Sequence, residues 1–445
     1  MKDQILENIV CILIATSILP LMGNFTGEVN NPTCNTLNGS WIEKYDDFTL
    51  LYLNGSHYDM GYQHGYLLQN EIEQNFRAFL NYTDSFGWNY SFYVWLWNEI
   101  EDYVPREYKE EMQGMADGSG LPFLNISIGN ILVDWFHCCE AAAWGPSTSE
   151  GKLIHMRSFD WSMEMIDPKT EKNLRENQIL MIRDPENGYA SIEPSFSGLI
   201  GGPGGINENG VGIGILCSYC FDEINSTHAE GIPVTFRIKM VLDQAFNASE
   251  ALAIINSNKT CGYNFIISDK DVAYAVEQTL TNSYYGTWDN SVESTRPFWS
   301  IDHVVRRTNI FINPDLSIVQ RDRYNPSFFP ILNLFLKINP VGYKSNFLSS
   351  TSWLHYRTLS KEIEKLWSCI ELNNSIDMLR DIYLGKTDLR FFIVQRLGTY
   401  IPLHQWVACP ETGDILVSFA SVEKNAHENP VYCFNLFELL NSKPL

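Results

Sequence analysis

The sequence predicts an α+β protein: a largely helical first third, then a layered sandwich of antiparallel strands with helices packed on its faces. Two observations carry this. From Tyr58 to Phe79 apolar residues recur at helical spacing, and Phe92 to Met115 is amphipathic with Glu and Lys on its polar side. After Cys138 the texture becomes short apolar or alternating runs bounded by Gly, Asp and Asn.

The elements follow in order. A polar stretch from about Asn24 to Ser40 precedes the helical part. Strands are expected at Lys152–Trp161, Gln178–Ile182, Gly210–Cys217, Tyr263–Ser268 and Val272–Val276, and later at Gln405–Ala408 and Asp414–Ala420. Helices are expected at Val234–Ala245, Ser249–Asn256 and Tyr356–Cys369. No internal repeat or low-complexity segment interrupts them.

The chain's 445 residues, 45% hydrophobic, are enough to bury a large core. Its formal net charge of -22 argues against nucleic acid as a partner, which requires a basic face. Residues 1–23 read as a signal peptide, through the apolar run Ile9–Gly23; an uncleaved signal-anchor is the alternative. Glycosylation sequons begin at Asn24, Asn38, Asn54, Asn81, Asn89, Asn125, Asn225, Asn247, Asn258 and Asn373. Together they favour the secretory route, to a secreted or lysosomal destination. Of ten cysteines, setting aside Cys11 with the leader and Cys138 as a reactive thiol leaves eight that could form disulfides. The Cys217-x-x-Cys220 pair lacks the second pair that a zinc site needs. No cofactor or metal is expected.

The chemistry centres on His137-Cys138-Cys139-Glu140, followed by Trp144-Gly145 and then by Arg157-Ser158-Phe159-Asp160-Trp161. A cysteine opens a small-residue strand, a glycine turn follows, and a second strand returns Arg157 and Asp160 beside the first. Arg157 favours a thiolate, and Asp160 can hold a protonated amine.

This block resembles the acyl-coenzyme A:isopenicillin N acyltransferase-like branch of the N-terminal nucleophile hydrolases, relatives of the acid-ceramidase-like amidases. Its pattern is a cysteine six residues before Trp-Gly, then Arg-Asn-x-Asp-Trp. Ser158 and Cys139 depart from it. Gly61-Tyr62-Gln63-His64-Gly65, Asn207-Glu208-Asn209-Gly210, Thr308-Asn309 and Pro410-Glu411-Thr412-Gly413-Asp414 match further segments, with Ile310 standing where the family has His.

The resemblance implies a four-layer αββα sandwich with an N-terminal helical segment. Residues 24–137 form the pro-segment, and 138–445 form the catalytic segment of one domain built with it. It implies cleavage at His137–Cys138, Cys138 as nucleophile with its own freed amine as base, Asp160 orienting that amine, and Asn309 donating to an oxyanion. The implied partners are a small-molecule or lipid amide substrate and the chain's own cleaved N-terminal segment. The alternatives are Cys139 as the first residue after the cut, a papain-like hydrolase pairing a cysteine with His355 or His404, and a non-enzymatic glycoprotein on the same fold. Arg306 and Arg357 are candidates for a substrate carboxylate, and His64 reads as structural.

Overall fold

Alternation after Cys138 does become strands, and the strands form two sheets. The computed structural model describes residues 35–131, 137–218, 220, 231–290, 292–294, 298–320, 347–396 and 400–442. The segment 1–23, Asn24 and Asn225 lie outside these residues. Ten strands form the first sheet: β1 Asn35–Leu37, β2 Ser40–Lys44, β3 Thr49–Gly55, β6 Gln178–Pro185, β7 Ser191–Phe196, β8 Gly204–Asn207, β9 Gly212–Cys217, β10 Tyr263–Ser268, β11 Ala273–Gln278 and β12 Ser283–Gly286, in that spatial order. Six form the second, in the order β13 Val304–Arg307, β4 His137–Ala143, β5 Ile154–Ser162, β14 Tyr400–Cys409, β15 Asp414–Phe419 and β16 Tyr432–Asn435. Every pairing is antiparallel except β3 with β6.

The sheets stack face to face. Leu180, Ile182 and Ile192 of the first pack on Trp406, Ile415 and Val417 of the second. Ala142 and Val305 meet Ile266 and Ala275. Helices cover both outer faces. On the first sheet lie α1 His57–Leu67, α2 Gln69–Asp84, α3 Tyr90–Ile100, α4 Arg106–Ser119, α5 Phe123–Ile131 and α6 Val234–Gln244. Met60, Met112, Met115 and Phe236 from these helices bury Leu51, Leu53, Ile179 and Met181. On the second sheet, Leu354, Leu359 and Ile363 of α9 Phe347–Leu366 cover Ala141, Ala143 and Met156, together with Leu379 and Ile382 of α10 Leu372–Tyr383. Two short helices, α7 Ala248–Ile255 and α8 Pro314–Ser317, lie between α6 and α9, and α11 Leu389–Arg396 and α12 Leu436–Asn441 follow α10. Each fully buried aliphatic side chain in these layers contributes about 1.5–3 kcal/mol. The architecture is the expected four-layer αββα sandwich.

The N-terminal segment is more than helical. It supplies β1, β2 and β3, and β3 pairs in parallel with β6 over Thr49–Gly55. The run Thr49-Leu-Leu-Tyr-Leu carries the strand signal, continuously apolar because both faces are covered. Further ties are buried and ionic: Glu111 of α4 meets Lys239 at 3.0 Å and Arg183 at 3.3 Å, and Arg183 meets Asp243 at 2.5 Å. Breaking one partner out of such a buried network typically costs several kcal/mol.

The Gly61–Gly65 motif is a packing device. Helices α1 and α4 touch backbone to backbone: a Cβ at Gly61 would stand 1.8 Å from the Glu111 carbonyl, and one at Gly114 would stand 2.0 Å from that of Tyr58. His64 is buried and accepts from the Gly198 N–H at 3.2 Å, and burial pushes its imidazole down to about 4.

Of the described sequons, Asn38, Asn81, Asn89, Asn258 and Asn373 are exposed and Asn54, Asn125 and Asn247 are half-buried. No disulfide joins any two described cysteines. The expected pairing is therefore corrected for Cys139 and Cys409, which are packed as thiols in an apolar layer of the sandwich. No described helix is long and apolar enough to cross a membrane.

Candidate active site

Strand β4 alternates, and that decides what each cysteine sees. Cys138 points into the gap between the sheets, packed with Phe159, Trp161, Ile213 and Ile215. Cys139 points the other way, among Leu354, Leu359 and Leu379 of the helix layer. Both are fully buried.

The β4–β5 hairpin forms as expected, with Cys138 opposite Phe159, Glu140 opposite Arg157 and His137 opposite Asp160. Arg157 shares the inner face with Cys138, and its Nη2 lies 3.4 Å from the Cys138 Sγ. Burial pushes this thiol up to about 12, although Arg157 and the Asp160 backbone N–H both favour the thiolate. Buried in this way, Cys138 is held as a protonated thiol.

Asn309 arrives from β13, which pairs with β4 in the register Arg307 to Glu140. Continued past Arg307, that register brings Asn309 level with Cys138. The Asn264 side chain fixes this stretch by donating to the carbonyls of Thr308 and Ile310, both at 2.7 Å. The Cys138 backbone N–H donates to Asn309 Oδ1 at 2.7 Å, and Asn309 Nδ2 donates to the Cys217 carbonyl at 2.9 Å. The amide thus presents its oxygen to the Cys138 nitrogen. Ile310, in the family's histidine position, is buried against Phe298, Trp353 and Tyr356.

Asp160 lies on the helix-facing side. Its Oδ2 accepts from Tyr383 at 2.6 Å and its Oδ1 from Ser158 at 2.9 Å. Burial raises its carboxyl to about 7, against the pull of those two hydrogen bonds and of Arg157. Tyr383 also faces His355 Nε2 at 3.2 Å. The structure therefore gathers Cys138, Arg157 and Asn309 on one face and turns the Asp160 carboxyl to the other.

Neither histidine of the papain-like alternative reaches Cys138. His355 is on the opposite side of the sheet. His404 sits one strand beyond Phe159, with the Phe159 ring stacked on it at 4.7 Å, and burial holds its imidazole well below the usual range. Arg306 is buried between Trp299 and Tyr356 and donates to Ser360 and to the Trp299 carbonyl; Arg357 pairs with Asp388 at 2.8 Å.

Sequence reasoning missed Glu140, His155, Ser268 and Tyr383. Period-two alternation from Cys138 and Arg157 would have found the first two. Ser268 and Tyr383 come from distant elements and carry no local signal. Among the described residues no group of three or more His, Cys, Asp or Glu side chains is placed to hold a metal. A narrow apolar cavity opens along the same face of β5, lined by Phe76, Phe79, Trp161, Leu174, Phe196 and Leu199. Phe159, opposite Cys138, packs edge-on against the Trp161 that walls it, with ring centroids 5.7 Å apart.

Residues 151–339 match the family model described as acyl-coenzyme A:6-aminopenicillanic acid acyl-transferase. Protein dcd1A of Dictyostelium discoideum is 26% identical over 266 residues, covering 51% of this chain and 58% of that protein. An uncharacterized protein of Archaeoglobus fulgidus is 23% identical over 313 residues, 60% of this chain and 51% of its own length. The chain thus spans about half the length of the curated relatives it matches. Among solved structures, the Caenorhabditis elegans N-acylethanolamine-hydrolyzing acid amidase ortholog aligns at 16% identity and TM-score 0.31, over 61% of this chain and 93% of that one. Penicillin V acylase from Agrobacterium tumefaciens aligns at 12% identity and TM-score 0.36, over 68% and 87%.

Proposed function

We propose that this chain, which resembles the acyl-coenzyme A:isopenicillin N acyltransferase-like N-terminal nucleophile hydrolases, is a self-processing amide hydrolase or acyltransferase whose nucleophile is Cys138. The observation that carries the reading is the placement of Cys138: Arg157 at its sulfur, Asn309 at its nitrogen, on the inner face of the sandwich.

Hydrolysis of the His137–Cys138 peptide bond converts the Cys138 nitrogen into a free α-amine. Such an amine titrates near ~8, so it can take the thiol proton close to working pH. This supplies what the unbroken chain lacks, since the buried thiol alone is held protonated. The thiolate attacks the acyl carbon of an amide, and the tetrahedral intermediate collapses to a thioester. The departing amine leaves with the proton held by the α-amine. Water releases the acid, or an acceptor amine takes the acyl group. Asn309 Oδ1 holds the α-amine in place through the contact it already makes to that nitrogen. Asp160 supports it through the strand, its backbone N–H favouring the thiolate. The cavity walled by Trp161 and Phe79 suits an apolar acyl chain. Exposed sequons and the N-terminal apolar run support a secretory route, with a lysosomal or extracellular destination.

N-terminal sequencing and intact mass of the purified protein, followed by a turnover screen of N-acyl amino acids, N-acylethanolamines and ceramides, test the proposal. Two chains, the larger beginning at Cys138, and release of a free acyl group are expected. An uncut chain that hydrolyses amides would overturn the mechanism; absence of turnover on every linear amide would overturn the function.

A further inference from the structure

Cys138 and Arg157 are the visible end of a longer buried chain of contacts. Glu140 follows Cys138 by two residues on β4, and His155 precedes Arg157 by two on β5, so all four side chains share the inner face. Arg157 Nη1 donates to Glu140 Oε2 at 3.2 Å while Nη2 faces the Cys138 sulfur at 3.4 Å. Glu140 Oε1 meets His155 Nε2 at 2.7 Å, and His155 Nδ1 meets Ser268 Oγ of the opposite sheet at 2.7 Å. The path Ser268–His155–Glu140–Arg157–Cys138 crosses the gap between the sheets and is fully buried.

The opposite sheet is cut away to admit it. A Cβ at Gly214 of β9 would stand 2.1 Å from Glu140 Oε1, and one at Gly212 would stand 2.8 Å from His155 Nδ1. Strand β9 therefore brings no charge against the group. Strand β10 brings Ser268, and β14 brings the rings of Trp406, 5.1 Å from His155, and His404. Strand β13 sets Arg307 across from Glu140, but Arg307 is itself compensated by Glu277 and Glu293. A carboxylate can only accept, so in the neutral tautomer that fits this path His155 Nε2–H donates to Glu140 and Nδ1 accepts from the Ser268 hydroxyl. A neutral imidazole satisfies every bond, and the pair Arg157–Glu140 carries no net charge.

A lone arginine buried beside a thiol would be an uncompensated cation. Glu140 compensates it and fixes its plane. Among the described residues the guanidinium Nε has no hydrogen-bond partner, so its hydrogen bonds are those of Nη1 to Glu140 and Nη2 to the sulfur, with the Phe159 ring 5.5 Å beneath its centre. We infer that Glu140, braced by His155 and Ser268, is a positioning residue that aims Arg157 at the Cys138 sulfur and sets the acidity of that thiol. The inference rests on the proposed role of Cys138. Glu140 acts in two opposed ways: its own charge disfavours the thiolate, and the arginine it aims favours it.

The test is the pH profile of Cys138 alkylation by iodoacetamide in the processed protein, followed by peptide mass spectrometry, alongside kcat and KM on an N-acyl substrate. In Glu140→Gln the aim of Arg157 is lost together with the carboxylate charge; Arg157 is the stronger influence on the sulfur, so the alkylation midpoint is expected to rise by about one pH unit. Turnover is expected to fall through kcat, not KM, about tenfold or more. Glu140→Asp, which keeps the charge, is expected to restore the midpoint. If Glu140→Gln yields no soluble protein, His155→Gln, which keeps the Arg157–Glu140 pair but removes the imidazole brace, is read in the same way. An unmoved midpoint in the variant that folds overturns the inference, while selective alkylation of wild-type Cys138 leaves the nucleophile standing. Wild-type protein alkylated no faster at Cys138 than at Cys139 would instead overturn the proposed function.

Discussion

Cys138 and Cys139 are joined by one peptide bond, yet they belong to different layers of the molecule. Cys138 faces the gap between the sheets, where Arg157, Glu140 and His155 form a continuous polar path. Cys139 faces the helices, where its neighbours are mainly aliphatic, with Tyr383 and Asp160 at the edge. Burial raises both thiols, but only Cys138 has a guanidinium at its sulfur and an amide oxygen at its nitrogen. Two adjacent cysteines thus differ in chemistry because a strand sends successive side chains to opposite faces.

The sharpest way to break this comparison is to delete each thiol in turn. Cys138→Ala is expected to lose turnover by at least about 10⁴-fold, the scale on which removal of a nucleophile acts. It should also stop processing at the His137–Cys138 bond, read by intact mass. Cys139→Ala is expected to process and turn over like the wild type. If the two variants behaved in the reverse way, Cys139 would be the first residue after the cut and the inner-face site would be a structural cluster.

The outer face has its own titrating group, and it makes the next-largest contrast. The Asp160 carboxyl is raised by burial from its ordinary 3.8 to about 7. Between those values the folded protein keeps a proton that the unfolded chain has released. The stabilisation this provides is complete below about pH 4 and is lost as the pH rises through 7. Asp160→Asn mimics the protonated form, so its stability should lack this loss. The gap between variant and wild type should grow to on the order of 2–4 kcal/mol by pH 8. Thermal melts of both proteins from pH 4 to 8 check this, and parallel curves would show that the carboxyl does not titrate inside the fold. A wild type more stable in acid also fits the lysosomal destination proposed above.

How much of this was legible in the sequence depends on how far apart the cooperating residues lie. The hairpin carrying Cys138 and Arg157 was readable because both strands and the Gly145 turn sit within two dozen residues. Strand β10 was bounded correctly at Tyr263–Ser268, since an apolar run between polar residues has one reading. Strand β3 was missed because its apolar run lies beside strong helical periodicity in a segment read as helical. Asn309 was legible through the Thr308-Asn309 match. Its orientation was not, because that depends on the Cys217 carbonyl, ninety-two residues away. The period of two separates the two faces of the site, and it places the Asp160 carboxyl away from the Cys138 face on which the hairpin alone suggests it. Arg157 and Asp160 are three apart, an odd number, so a regular strand must send them to opposite sides.

The smallest contrast concerns space. On the inner face, Gly214 leaves no room: the nearest atom to an added Cβ would be Glu140 Oε1 at 2.1 Å, with Arg157 Nη1 at 2.8 Å. Gly214→Ala therefore forces the Arg157–Glu140 pair to shift, while its backbone conformation is one any residue can adopt. Overpacking of this kind costs about 1–3 kcal/mol, measurable by urea denaturation. The displaced guanidinium should also slow alkylation of Cys138 and leave Cys139, on the far side of the sheet, unaffected. A variant with wild-type stability and wild-type Cys138 reactivity would mean that the gap between the sheets is looser than the 2.1 Å approach implies, and that the polar path can repack without moving the arginine from the sulfur.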